Sequence, residues 1–146
     1  MALSYEARVK LEFTQLNEEL RKLQARIQAI SEQKLFKHAK AEIQEIQAQL
    51  NAAFAKIETE SAKMQRKLGE RVARVSTLAD LGLPPTNVSM RDAMKRLTET
   101  VEASDLVKNT RELASTAQHS LVTMGQSAEK AEESVRKASR GVRDLS

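Results

Sequence analysis

The chain has 146 residues, of which 30% are charged and 3% aromatic, with four Gly, two Pro and no Cys. Ala, Glu, Lys, Arg, Gln and Leu dominate, which is the mixture of long helices paired along a narrow seam rather than of a domain built round a three-dimensional core. The missing cysteines exclude disulfides, thiolate catalysis and Cys-ligated zinc, and the formal charge of +4 is a mild excess over interspersed signs that implies no global field.

No Pro interrupts residues 4–78, and the one Gly there, Gly69, costs only about 1 kcal/mol against Ala. The expectation is one helix over about residues 4–79, capped by Ser4. Within it Val9, Phe13, Leu16, Leu20, Leu23, Ile27 and Ile30 alternate steps of four and three, the heptad spacing of a supercoiled seam. The phase is lost after Ile30 and resumes at Ile43, Ile46, Leu50, Ala53, Ile57 and Met64, which predicts a stutter or local unwinding between Lys34 and Ala41. The segments Glu19 to Ile30 and Glu42 to Ala53 echo one another, as shared heptad chemistry makes them do.

The strong break is a Pro-containing turn over residues 80–89. Gly82 is placed to close a helix, Pro84 and Pro85 forbid its continuation, and Thr86 and Asn87 supply turn chemistry. Ser89 with Asp92 predicts a capping box, so a second helix is expected over about residues 90–145. From Val107 its heptad is regular: Val107, Ala114, Leu121, Ala128, Val135 and Val142 occupy one seam position, and Thr110, Ala117, Met124, Ala131, Ala138 and Leu145 the other. Half of these are Ala or Thr, which pack best against bulk such as Leu35, Phe36, Ile43 and Ile46. A softer joint is expected near Ser104 and Asp105.

A connection this short favours antiparallel neighbours, so the predicted fold is all-α, a single coiled-coil domain over residues 1–146 shaped as a long antiparallel helical hairpin. The alternative is an elongated three-helix bundle, in which the first helix bends near Lys34 and folds back. Folded about Pro84, a hairpin sets Leu145 level with about Leu23 and leaves roughly 30 Å of the first helix unpaired. That overhang carries Val9, Phe13, Leu16, Leu20 and Leu23, and each in water forgoes about 1.5 to 3 kcal/mol. These five are therefore the expected contacts with a partner helix or a second copy of the chain.

Little points to chemistry. His38 and His119 are the two histidines, with no Cys, Asp or Glu at metal spacing, and neighbouring acids such as Glu18 with Glu19 or Glu132 with Glu133 diverge by about 100° on a helix. There is no phosphate loop, nucleophile elbow, HExxH or EF-hand pattern, so neither enzyme activity, cofactor, metal nor small-molecule substrate is expected. Two basic clusters follow helical spacing: Lys63, Arg66, Lys67, Arg71 and Arg74, and Arg136, Lys137, Arg140 and Arg143. Such stripes suit an acidic partner, an anionic membrane or nucleic acid, although cations near a helix C-terminus also serve its dipole.

The segment MALSYEARVKLEF bears charge where a signal peptide needs an apolar run, and no 18 apolar residues stand together, so a cytoplasmic, or else nuclear, soluble protein is expected. In outline two such helices resemble coiled-coil accessory subunits of flagellar and type III export machines and small subunits of trafficking and cytoskeletal complexes. The resemblance is one of shape, carried by no family motif. The expected role is a non-catalytic structural or adaptor subunit of such a complex. The alternative is an electrostatic binder of nucleic acid or anionic membrane.

Overall fold

The computed structural model describes residues 3–32 and 39–145, and of residues 128, 131, 132, 135 and 142–145 the helical backbone alone. The chain is all-α: α1 spans Tyr5–Glu32, α2 Lys40–Asp80 and α3 Val88–Leu145. Ser4 caps α1 as expected, its Oγ accepting the Ala7 amide at 3.2 Å.

Contacts between side chains fix the directions. Tyr5 Oη donates to Glu60 Oε2 at 2.6 Å and Arg26 Nη2 donates to Glu42 Oε1 at 3.2 Å, so α1 and α2 run antiparallel. Lys10 Nζ meets Glu102 at 2.7 Å and Gln24 Nε2 meets Ser120 at 3.0 Å, so α1 and α3 run parallel. Gln47 and Gln118 exchange amide bonds at 2.9 and 3.0 Å, while Leu78 packs with Met90 and Ala93, so α2 and α3 run antiparallel.

The expected single helix over residues 4–79 is thereby corrected. On a straight helix Tyr5 and Glu60, 55 positions apart, would stand about 82 Å from one another. The expected bare overhang falls with it. Val9, Phe13, Leu16, Leu20 and Leu23 are buried in one core cluster with Ile46, Leu50 and Ile57 of α2 and Val107, Ala114 and Leu121 of α3. The cost of exposing an apolar heptad stripe, which predicted a foreign helix, is met within the chain. The phase slip assigned to Lys34 through Ala41, and the bulk assigned to Leu35 and Phe36, fall largely outside the described residues.

The core divides its labour by size. The largest fully buried side chains come from α1 and α2: Phe13, Leu20, Ile27, Ile46, Leu50, Ile57 and Met64. α3 answers with Ala103, Thr110, Ala114 and Ala117, each without exposure, so its axis can approach the other two closely. The expected joint at Ser104 and Asp105 is absent, since α3 is continuous through both. Ile46 is buried and Ile43 half-buried against the core, as their heptad positions require.

The turn is built as its residues dictate. Gly82 adopts φ +75°, the left-handed conformation that a Cβ penalises. Its N–H bonds the Ala79 carbonyl at 2.9 Å and that of Leu83 bonds Leu78 at 3.2 Å, the two bonds of a Schellman end, with Leu83 packed on Leu78. The cap of α3 is Asn87 rather than the expected Ser89: Asn87 Oδ1 accepts the amides of Ser89 at 2.9 Å and Met90 at 3.4 Å. α3 accordingly starts two residues early, at Val88.

Candidate interaction surfaces

The N-terminal turn of α1 is held by a polar cluster. Tyr5 bonds Glu60, and Glu6 accepts a 3.1 Å bond from the Thr100 hydroxyl while Arg71 Nη2 lies 3.8 Å from the same carboxylate oxygen. Glu6 and Glu60 are both buried, and the cations of Arg8 and Lys67 sit 5.5 and 5.2 Å from the centre of the Tyr5 ring. Burial first, and then the bond to Glu60, push the Tyr5 hydroxyl well above its ordinary titration range. Farther along, Asn17 Oδ1 accepts from buried Thr110 at 2.6 Å. These pairs set the register of α1 on its neighbours, because a slip by one turn would strand buried polar groups. Sequence reasoning treated Thr110 merely as small and did not single out Thr100. Their signal was the matching polar residue at Glu6 and Asn17, which is readable only once the parallel pairing is known.

The basic clusters do not form one patch. In the first, Lys63 lies 4.0 Å from Glu60, Arg71 pairs with Glu6 and Lys67 covers Tyr5, so three of five cations are engaged inside the chain. Arg66 and Arg74 are exposed. In the second, Lys137 lies 3.5 Å from Glu133, Arg136 and Arg140 are exposed, and the Arg143 side chain falls outside the described residues. Arg71 stands beside Thr100 through Glu6, and from Thr100 to Arg136 α3 rises about 54 Å. Cations that far apart act separately.

Several surfaces of the described residues remain open, among them a groove of about 560 Å³ between α1 and α2 at Leu16, Leu20, Leu23 and Lys56. A groove of about 540 Å³ between α1 and α3 is lined by Gln24, Ile27, Ser31, His119, Ser120 and Ser127, among others, with the Gln24 Oε1 atom buried and unpartnered. His119 is exposed at its edge, and His38 lies outside the described residues. At the turn, Leu81 and Val88 are 71% and 70% exposed, and Val72 and Met94 on the flanking helices are exposed as well. At the far end, Ser31 and Ser127 face the same groove, after which α3 continues through residues 128–145, about 27 Å. Every described residue from Gln126 to Gly141 is exposed.

Among the described residues no cluster of three or more His, Cys, Asp or Glu could hold a metal ion, and no helix is long and apolar enough to cross a membrane. No family model, no curated protein and no solved structure matches the chain.

Proposed function

We propose that the chain is an elongated three-helix bundle acting as a non-catalytic structural or adaptor subunit, which holds other proteins together through helix faces that its own body leaves open. The observation that carries this reading is the mismatch of lengths. α3 has 58 residues, and its heptad runs on past Ser127 while every described side chain there from Gln126 to Gly141 is exposed. A helix that continues a seam beyond its own bundle suits pairing with another helix. On this reading Val9, Phe13, Leu16, Leu20 and Leu23 form the bundle's own core, and the partner surface moves to the C-terminal extension and the apolar turn around Leu81 and Val88.

The alternative, an electrostatic binder of nucleic acid or anionic membrane, draws on exposed Arg66, Arg74, Arg136 and Arg140. It is the weaker reading because internal pairs engage Lys63, Lys67 and Arg71, and the clusters lie far apart.

Crosslinking mass spectrometry in the native cell separates the two. An assembly subunit gives stoichiometric protein crosslinks clustered on residues 126–141 and 81–94. Recovery instead of nucleic acid or lipid, lost when Arg136 and Arg140 become Glu and falling steeply with salt, overturns the assembly role.

A further inference from the structure

We infer that the free end of the hairpin formed by α2 and α3 is a docking slot for an acidic helix of another protein, seated where α1 would lie if it ran on. This rests on the assembly reading and names one surface and the chemistry of what fills it.

The two helices outrun α1. Glu6 of α1 meets Thr100 of α3, while Tyr5 reaches Glu60 of α2 and Lys67 covers its ring. Beyond these contacts α2 runs on to Asp80 and α3 begins at Val88, which leaves about 20 Å of paired helix with no third helix against it among the described residues. The stripes that α1 covers lower down continue through this end. In steps of four and three, the stripe on α2 passes from Lys67 through Arg71, Arg74 and Leu78 to Leu81, and that on α3 from Thr100 through Arg96 and Ala93 to Ser89.

The chemistry of the stripes changes where α1 ends. Under α1 they present Ile57, Met64, Ala103 and Val107, all buried; past it they present Arg71, Arg74 and Arg96. The pairings of Gln47 with Gln118 and of Leu78 with Met90 and Ala93 set Arg71 level with Arg96, so two arginines flank the slot at one height. Like charges at one level of neighbouring helices oppose each other. Arg71 is met by Glu6 at 3.8 Å, yet its buried Nε has no hydrogen-bond partner. Arg74 and Arg96 are exposed, and among the described residues no acid pairs with either, Glu70 and Glu99 at the borders of the stripes included. Residues 63–100 hold eight Lys and Arg against four Asp and Glu, an excess equal to the whole chain's +4.

Charge and shape together select the occupant. A helix laid in the slot sets acids against the arginines and, about 15 Å farther on, an apolar side chain against exposed Leu81. α1 shows the same pattern lower down, where its Glu6 and Glu12 stand 3.8 Å from Arg71 and Lys56 of α2. An anionic membrane would meet the tip first, where Asp80 neighbours Leu81 and Asp92 follows Arg91, and a duplex backbone offers nothing apolar to Leu81.

The test is a titration of the full chain with a synthetic helix of about 18 residues, Leu at heptad spacing and Glu beside it, against its counterpart with Lys for Glu. The Glu peptide should bind saturably below about 1 mM and protect the amides of residues 71–81 and 93–100 from exchange. Arg74→Glu with Arg96→Glu, both at exposed sites, should leave the thermal midpoint in place, weaken the Glu peptide about 10-fold or more and let the Lys peptide bind instead. Leu81→Ser should weaken the Glu peptide about 3-fold. No saturable binding, equal binding of the two peptides, protection elsewhere, or indifference to the double reversal overturns the inference. Duplex DNA or phosphatidylserine vesicles held through the same arginines, where the Glu peptide fails, overturn it too. Crosslinks in the native cell confined to residues 126–141, with no peptide bound, would lose the slot and keep the assembly role, so the two failures are distinguishable.

Discussion

The two halves of α3 carry the same heptad and meet different fates. Between Thr100 and Met124 its seam residues, among them Ala103, Val107, Thr110, Ala114 and Ala117, are buried, because α1 and α2 bring Phe13, Leu20, Ile27, Ile46, Leu50 and Ile57 to them. Beyond Gln126 the spacing is unchanged, yet the described residues through Gly141 are exposed. A heptad states that a helix face needs company, and it leaves open whose. The partner is decided by what lies level with it, a property of chain length and of where the chain turns.

That contrast breaks most visibly under large-to-small substitution. Phe13→Ala, in a fully buried site, should cost about 3 to 5 kcal/mol by denaturant unfolding, whereas Ala138→Gly in the extension should cost about 1 kcal/mol or less. Equal costs would mean that α1 is not packed on its own chain. Leu16→Asp with Leu20→Asp should likewise unfold α1, lowering helicity, where a free partner-binding stripe would leave helicity intact.

Tyr5 sharpens the same point, since it is the chain's single tyrosine and reports α1 docking alone. With α1 in place its absorbance titration should lie well above the ordinary value of 10.0, and Glu60→Gln should bring it back down. A raised folded value means the neutral phenol is favoured in the native state. The stability it contributes is therefore complete below about pH 10 and is lost as pH rises through the folded value. Tyr5→Phe should cost about 1 kcal/mol at neutral pH, by thermal unfolding.

Smaller effects follow at the edges. Gly82→Ala forces a Cβ into φ +75° and should cost about 1 kcal/mol while leaving the flanking helices formed, read by amide exchange at Leu83. Least of all, Lys137→Ala removes a bridge between two well-exposed side chains and should shift stability by less than about 0.5 kcal/mol.

Much of this fold is legible in the sequence, and the limits are physical. The stripe from Val9 to Ile30 identified every buried apolar residue of α1, and Gly82, Pro84 and Pro85 marked the one reversal that has a chemical signature. The return of α1 onto α3 had no such signature, because no Pro or Gly lies between Ile30 and Ala39 and a lost heptad phase reads equally as a stutter or as an end. From that came the expected bare overhang, whose five apolar side chains are buried within the chain. The cap was misplaced by two residues because Asn87 and Ser89 are both good caps and only the backbone decides between them. Of the candidate surfaces, the basic clusters were visible as residues. The pairing of Arg71 with Glu6 depended on a topology the sequence left open, whereas Lys63 and Glu60 are neighbours three residues apart on one helix.

The most direct test of the proposed three-helix bundle is a distance across it. With no native cysteine, Leu11→Cys and Glu58→Cys, both at exposed sites, can carry spin labels for dipolar spectroscopy in a dilute mixture with unlabelled chain. Antiparallel neighbours with axes about 10 Å apart predict a narrow distribution below about 30 Å. A distribution near 70 Å, the rise of a continuous helix between those positions, would contradict it.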